Sequence, residues 1–360
     1  MPHDWEASTR RIRATFAGLS DIDRVPFFPL ACEELICRIS GKTLRELLSS
    51  PKAYANAAIA TYEFIKADTL SIPTAYAGPA EALAFAEVNN KENVIKWSDY
   101  KVFMVKQGDI CKSEEDIERL EIPDHSKISL WDTCLSATNL VKEKTRFQQS
   151  CSLGIWSVVQ ELRGVQAYRD MRRNPELLLK LCEKVYQSQL DLYNFFIEKV
   201  GASRTIFFTG YAFNKHMMSF EDAMKYEGQF IKQLQKETKA RIILHNCGTN
   251  PYFDEMCNEL ELLAVNGSHP LDIEYWVEFK KNHPEVTILG ANIDVSRELL
   301  NGTSLDVEKI VKENIKKLAP GGRYAVSPIC CLPWGVSLNN IMTIPKAIKK
   351  WGTYPLNFES

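Results

Sequence analysis

Two residues in Arg241-Ile-Ile-Leu-His-Asn-Cys-Gly248 could hold a metal. The apolar run reads as a buried strand, and in an extended backbone residues two apart point to the same side. His245 and Cys247 therefore converge, and an imidazole with a thiolate is a zinc-grade pair that lacks only a third soft ligand. The sequence offers that ligand far downstream, in Tyr324-Ala-Val-Ser-Pro-Ile-Cys-Cys-Leu-Pro-Trp334, where Cys330 and Cys331 are adjacent. Neighbouring thiols do not comfortably serve one ion, so one of the two is expected to be a bystander. A Cys₂His set with one exchangeable position is the catalytic kind of zinc site, because structural sites are normally closed by four protein ligands.

Positioning these groups is the task of the surrounding elements. From residue 203 onward, strand and helix patterns alternate, with strands expected over 204–210, 241–247, 262–266, 286–292 and 323–327. The helices between them are expected over 219–238, 251–260, 273–281 and 304–318. The first half adds about three strands, over 24–30, 67–73 and 152–159, and a long helix from Asn174-Pro-Glu-Leu to Val200, where Gly201 closes it. A count near eight predicts an α/β protein, a (β/α)8 (TIM) barrel with an elaborated N-terminal segment. An open doubly wound sheet is the other architecture with such alternation, but no Gly-x-Gly-x-x-Gly follows the first strand. The expected organisation is a single barrel over residues 1–360, with 1–22 as a helical cap and 89–150 as an insertion-rich, polar region that includes the acidic run from Ser113.

In a parallel barrel the loops after the strands open on one end, and catalytic groups collect there. The residues read off after the late strands are His245 and Cys247, Asn266-Gly-Ser268, Asn292 with Asp294, and the cysteine pair. Ser268 is a candidate for a displaceable fourth ligand, and Asn292 and Asp294 are candidates for substrate contact. Each has an ordinary alternative, a turn or helix cap for Ser268 and Asp294 in particular.

Bulk properties exclude several classes. With 360 residues, 45% hydrophobic and 25% charged, the chain is of ordinary globular make-up. A net charge of −2 gives no general field for nucleic acid or an anionic membrane. No apolar run is long enough to span a bilayer and the N-terminus lacks a secretory pattern, so a cytoplasmic location is expected, with most of the ten cysteines reduced and buried.

His245-Asn-Cys-Gly, Gly290-Ala-Asn-Ile-Asp294, Gly321-Gly-Arg-Tyr-Ala-Val-Ser-Pro-Ile-Cys330, Pro333 and Leu338-Asn-Asn-Ile341 together resemble the uroporphyrinogen decarboxylase superfamily. They look most like its zinc-dependent methylcobamide:coenzyme M methyltransferase branch, and the likeness extends to Asp68–Leu83 and the Asn174-Pro-Glu-Leu helix. The resemblance implies His245, Cys247 and Cys330 as ligands of Zn²⁺ and as the catalytic centre, with Asp68 among the substrate-binding residues. It also implies methylcobalamin or another corrinoid presented by a partner protein, and a small thiol such as coenzyme M, or tetrahydrofolate, as the other substrate. The alternative is a metal-free decarboxylase-like lyase in which Asp68 aids the reaction. Against that, Arg24–Leu30 does not resemble the arginine-rich segment of the decarboxylases. The cysteine pair and Leu83-Ala84, where relatives often place Leu-Gly, mark a divergent member of the family it resembles.

Overall fold

The structure, a computed structural model, describes residues 3–19, 21–72, 77–99 and 104–358. Parts of three expected regions therefore lie outside the described residues: 1, 2 and 20 of the cap, Pro73 of the second strand, and 100–103 of the polar insertion.

Within that insertion a two-stranded antiparallel hairpin forms (β1, Ile95–Lys96; β2, Met104–Val105). Six parallel strands follow: β3 (Ser150–Leu153), β4 (Ser203–Thr209), β5 (Arg241–Asn246), β6 (Leu262–Gly267), β7 (Thr287–Leu289) and β8 (Tyr324–Ala325). Each pairs with the next in sequence order. The sheet closes through two irregular segments. Phe27 pairs with Val326 in parallel fashion, with Phe28 N–H donating to Val326 O (2.8 Å) and Val326 N–H to Pro26 O (3.0 Å). Asp68 N–H then donates to Phe27 O (2.8 Å), and the carboxamide of Gln149 bridges both backbone groups of Ile72 (2.5 and 2.8 Å). Eight staves therefore form a (β/α)8 barrel, and the first two are held by few ladder bonds.

Strand alternation sorts the core. Ile242 and Leu244 of β5, like Ile206 and Phe208 of β4, face the surrounding helices, whereas Ile243, Ala264, Leu289 and Ala325 meet inside the barrel.

The first helix, α1 (Trp5–Ala17), begins at Asp4, whose carboxylate accepts from Ala7 N–H, and ends at Gly18 with φ 74°. It crosses the N-terminal end of the barrel, where Arg323, just before β8, donates to Phe16 O (3.0 Å). The strand expected over 152–159 is displaced: β3 stops at Leu153 and Ile155–Arg163 is a helix. Its run of Ile, Trp and Val looked extended, but Ile155, Trp156, Val158, Val159 and Leu162 bury one helical face against the helices Ala77–Val88 and Pro175–Val200. Among the described residues no helix is long and apolar enough to cross a membrane.

Candidate functional site

β5 delivers His245 to the C-terminal end of the barrel with 4% of its surface exposed. Its register partner on β6 is Asn266. The Asn266 amide nitrogen donates to Leu289 O (2.7 Å) and Pro328 O (3.2 Å), which turns its Oδ1 toward His245 Nδ1 at 2.6 Å. The proton of the neutral imidazole therefore sits on Nδ1, and Nε2 is left as a lone pair. The Phe207 ring lies over the imidazole, 5.5 Å between centroids and 27° from parallel.

The backbone then turns sharply. Between the two candidate ligands, Asn246 faces the other way. Its amide nitrogen donates to Gly210 O (2.7 Å) and Phe213 O (3.0 Å), and its Oδ1 accepts from Gly248 N–H (2.8 Å). A Cβ at Gly248 would lie 1.5 Å from Asn214 Nδ2, so only glycine fits there. This explains the full His-Asn-Cys-Gly spelling rather than the two ligands alone.

Cys330 arrives from the loop after β8. Ile329 N–H is held by Ile293 O and Leu332 N–H by Leu30 O, both at 3.0 Å, so the loops after the seventh and first staves fix its course. Cys247 Sγ lies 2.6 Å from His245 Nε2 and 3.5 Å from Cys330 Sγ, and Cys330 Sγ lies 4.0 Å from Nε2. All three donor atoms fall within 4.8 Å of one another, the only such group of three His, Cys, Asp or Glu among the described residues. A tetrahedral zinc centre would space its ligands at about 3.6 Å for N···S and about 3.8 Å for S···S. The observed triangle reaches those distances with movements of about 1 Å or less, so the donor set and its placement fit zinc.

The thiols share charge unequally. Hydrogen bonds from Cys247 and then Cys331, opposed by burial and aided by His245, hold the Cys330 thiol far below the usual thiol range. The Cys330 sulfur and burial push Cys247 up, while a hydrogen bond from Tyr211 works the other way. Cys331 lies between Cys32 and Cys330, hydrogen-bonded to both, and is pushed up first by the contact with Cys32.

Of the other sequence candidates, Ser268 stands just past β6, buried, with its N–H donating to Asn246 O (3.0 Å). Asn292 follows β7 and keeps a buried Oδ1 without a hydrogen-bond partner. Asp294 caps the next helical turn, accepting from Ser296 N–H (2.6 Å) and Arg297 N–H (2.9 Å), so its carboxylate is occupied by the backbone. Asp68 does not join this site. It lies at the N-terminal end of the second stave, wholly buried between Arg11 and Arg24.

Sequence reasoning left three participants without a role. Asn266 was visible only as a strand-end residue, Asn246 only as the middle of a motif, and Tyr211 stands two residues past β4, where strand-end logic applied to the fourth strand would have reached it. Asn266 carries a specific expectation. Metal-bound histidines lose about 10- to 100-fold in metal affinity when the partner of their other nitrogen is removed. Asn266→Ala should therefore weaken zinc binding by at least about 10-fold in a competition titration against a chromophoric chelator. Unchanged affinity would mean that Phe207 stacking alone orients the ring.

A family model described as uroporphyrinogen decarboxylase (URO-D) matches residues 8–351 of the chain. Among solved structures, a methyltransferase from Methanosarcina mazei superposes with a TM-score of 0.75, over 95% of this chain and 98% of that one, at 16% sequence identity. At that identity the likeness is one of fold. No curated protein matches.

Proposed function

Since the chain belongs to the uroporphyrinogen decarboxylase family, we propose that within it the protein is a zinc-dependent methyltransferase, moving a methyl group between a corrinoid protein and a small thiol or tetrahydrofolate. The observation that carries this reading is the convergence of His245, Cys247 and Cys330 at the C-terminal end of the barrel. The methyltransferase name of the Methanosarcina mazei structure points the same way.

His245 Nε2, Cys247 Sγ and Cys330 Sγ would hold the ion and leave its fourth position to the substrate. Bound Zn²⁺ would supply the means to keep a substrate sulfur deprotonated, and therefore nucleophilic, at neutral pH. The protein's own groups prepare that position. Asn266 fixes the imidazole tautomer, Tyr211 donates a hydrogen bond to Cys247, and Phe207 covers one face of the ring against water. In the direction of thiol methylation, a methyl–cobalt bond breaks and a carbon–sulfur bond forms. The electron pair stays with the corrinoid and the thiol proton leaves to solvent.

A metal-free lyase working through Asp68 has no support in the geometry. That carboxylate is enclosed by arginines at the end of the barrel opposite to the cysteine cluster.

The decisive assay mixes the zinc-loaded protein with methylcobalamin and a panel of thiols and tetrahydrofolate, and follows the visible spectrum of the methyl–cobalt bond. Acceptor-dependent loss of that band is expected. A protein that transfers no methyl group to any acceptor, yet decarboxylates a porphyrinogen without metal, would overturn the reading.

A further inference from the structure

The interior of this barrel is not filled. Inward positions of such barrels are usually bulky and branched, stacked in layers. Here that holds on one side, where Leu289 and Ile243 close with Ala264, Ala325 and Phe207. On the other side, the alternating positions of β3, β4 and β5 present Ser150, Ser152, Ser203, Thr205 and Arg241. Short hydroxyl side chains leave a cavity of about 320 Å³ inside the barrel. Small-ligand sites begin at about that size.

The cavity has two chemically different ends. Cys32, Glu33, Ser71 and Cys331 line it where staves end, on the side of the cysteine cluster. Arg241, Ser203 and Arg13 of α1 line it where staves begin. Arg241 donates to Thr205 Oγ1 (3.2 Å), and among the described residues no carboxylate lies within ion-pair distance of Arg241 or Arg13. A guanidinium facing hydroxyl groups, with no carboxylate to neutralise it, is a receptor for an oxyanion. The carboxylate among the lining residues, Glu33, stands at the opposite end, and Arg241 and Arg13 are solvent-exposed, so the arginines mark the mouth of the cavity.

The strand itself measures the distance between the two ends. Arg241 and His245 lie four residues apart on the inward face of β5, which in extended backbone is about 13 Å. Phe207, which stacks on the His245 ring, and Cys331, which contacts Cys330, both form part of the cavity wall, so the cavity ends beside the metal cluster, although none of its three ligands lines it.

We propose that this cavity holds the body of the small substrate, a slender monoanion whose carboxylate or sulfonate sits at Arg241 and whose sulfur lies about 10 Å or more away, at the metal. The inference rests on the methyl-transfer reading for the sulfur end, while the anion end stands on the cavity alone. A two-carbon thiol such as 2-mercaptoethanesulfonate is too short to occupy both ends together.

The test uses calorimetry on the zinc-loaded full chain with unbranched alkanesulfonates and alkanoates of two to ten carbons, and with their ω-thiol counterparts. Binding of the sulfur-free series should tighten at least tenfold between two and about eight carbons. Arg241→Gln should reverse that gain, and Ser152→Leu, which fills the cavity, should abolish long-chain binding while zinc content stays unchanged. Affinity independent of length, or of Arg241, would overturn the proposal. The two readings fail separately. Length-dependent, Arg241-dependent binding of the sulfur-free series without methyl transfer to any ω-thiol would leave the cavity site standing and remove the methyltransferase. Methyl transfer to the two-carbon thiol as fast as to the longer ones would retain the methyltransferase and remove the cavity site.

Discussion

Alanine at His245, Cys247 or Cys330, taken singly, is expected to reduce bound zinc from about one ion per chain to none, and to lower methyl transfer by about 10³-fold or more. With three protein ligands in all, each removal leaves two, and two donors do not hold zinc in a water-accessible site. The size of the rate effect follows from the several kcal/mol that a Lewis acid contributes, at 1.4 kcal/mol for each factor of ten. Each loss should come without unfolding, because the three side chains sit at the end of the barrel and Cys247 and Cys330 are only partly buried. Cys331→Ala supplies the control. Its thiol contacts Cys32 as well as Cys330 and is not one of the three converging donors, so zinc content measured by atomic absorption should stay at wild-type level. Zinc lost in Cys331→Ala and retained in Cys330→Ala would invert the assignment.

How much of this site could be read from the chain depends on distance along it. His245 and Cys247 were legible because a period of two on a strongly apolar strand fixes which side chains share a face. Cys330 required the further step that the fifth and eighth staves of one barrel open on the same end, and the regular alternation after residue 203 made that step possible. The first half was harder. Its first two staves were legible as short extended runs over 24–30 and 67–73, but they pair through only a few backbone bonds, and a glutamine side chain stands in for ladder bonds at Ile72. Ile155–Leu162 carries β-branched and aromatic residues that burial in a helix overrides. Asn266 could not be assigned a role because an asparagine at a strand end suits a turn, a cap or a ligand contact equally. The hydroxyl-lined cavity is similarly hidden, since Ser150, Ser152, Ser203 and Thr205 look like solvent-facing positions until the barrel closes around them.

Asp68 is the instructive displacement, and its substitution is the second large effect to expect. Asp68 opens the family-like stretch that runs to Leu83, and the resemblance implied a substrate-binding role for it. Its partners, however, are 57 and 44 residues away in sequence, and only the fold brings them in. The carboxylate has no exposed surface and accepts five hydrogen bonds: Ser8 Oγ (2.9 Å), Arg11 Nη1 (2.9 Å), Arg24 Nη1 (2.7 Å) and Nη2 (2.9 Å), and Phe27 N–H (2.8 Å). It therefore ties α1 to the first two staves, the part of the barrel with the fewest ladder bonds. Removing one partner from such a buried ionic cluster costs about 3–5 kcal/mol, because the remaining charges and donors lose their counterpart. Asp68→Ala is expected to lower the denaturation free energy by that amount in a urea titration. Arg11→Ala should cost less, since Arg24 still engages both carboxylate oxygens and the Arg11 side chain is partly exposed. The folded fraction of Asp68→Ala should bind zinc as the wild type does and transfer methyl groups at a comparable rate. The opposite pattern, wild-type stability with activity lost, would place Asp68 back in the chemistry.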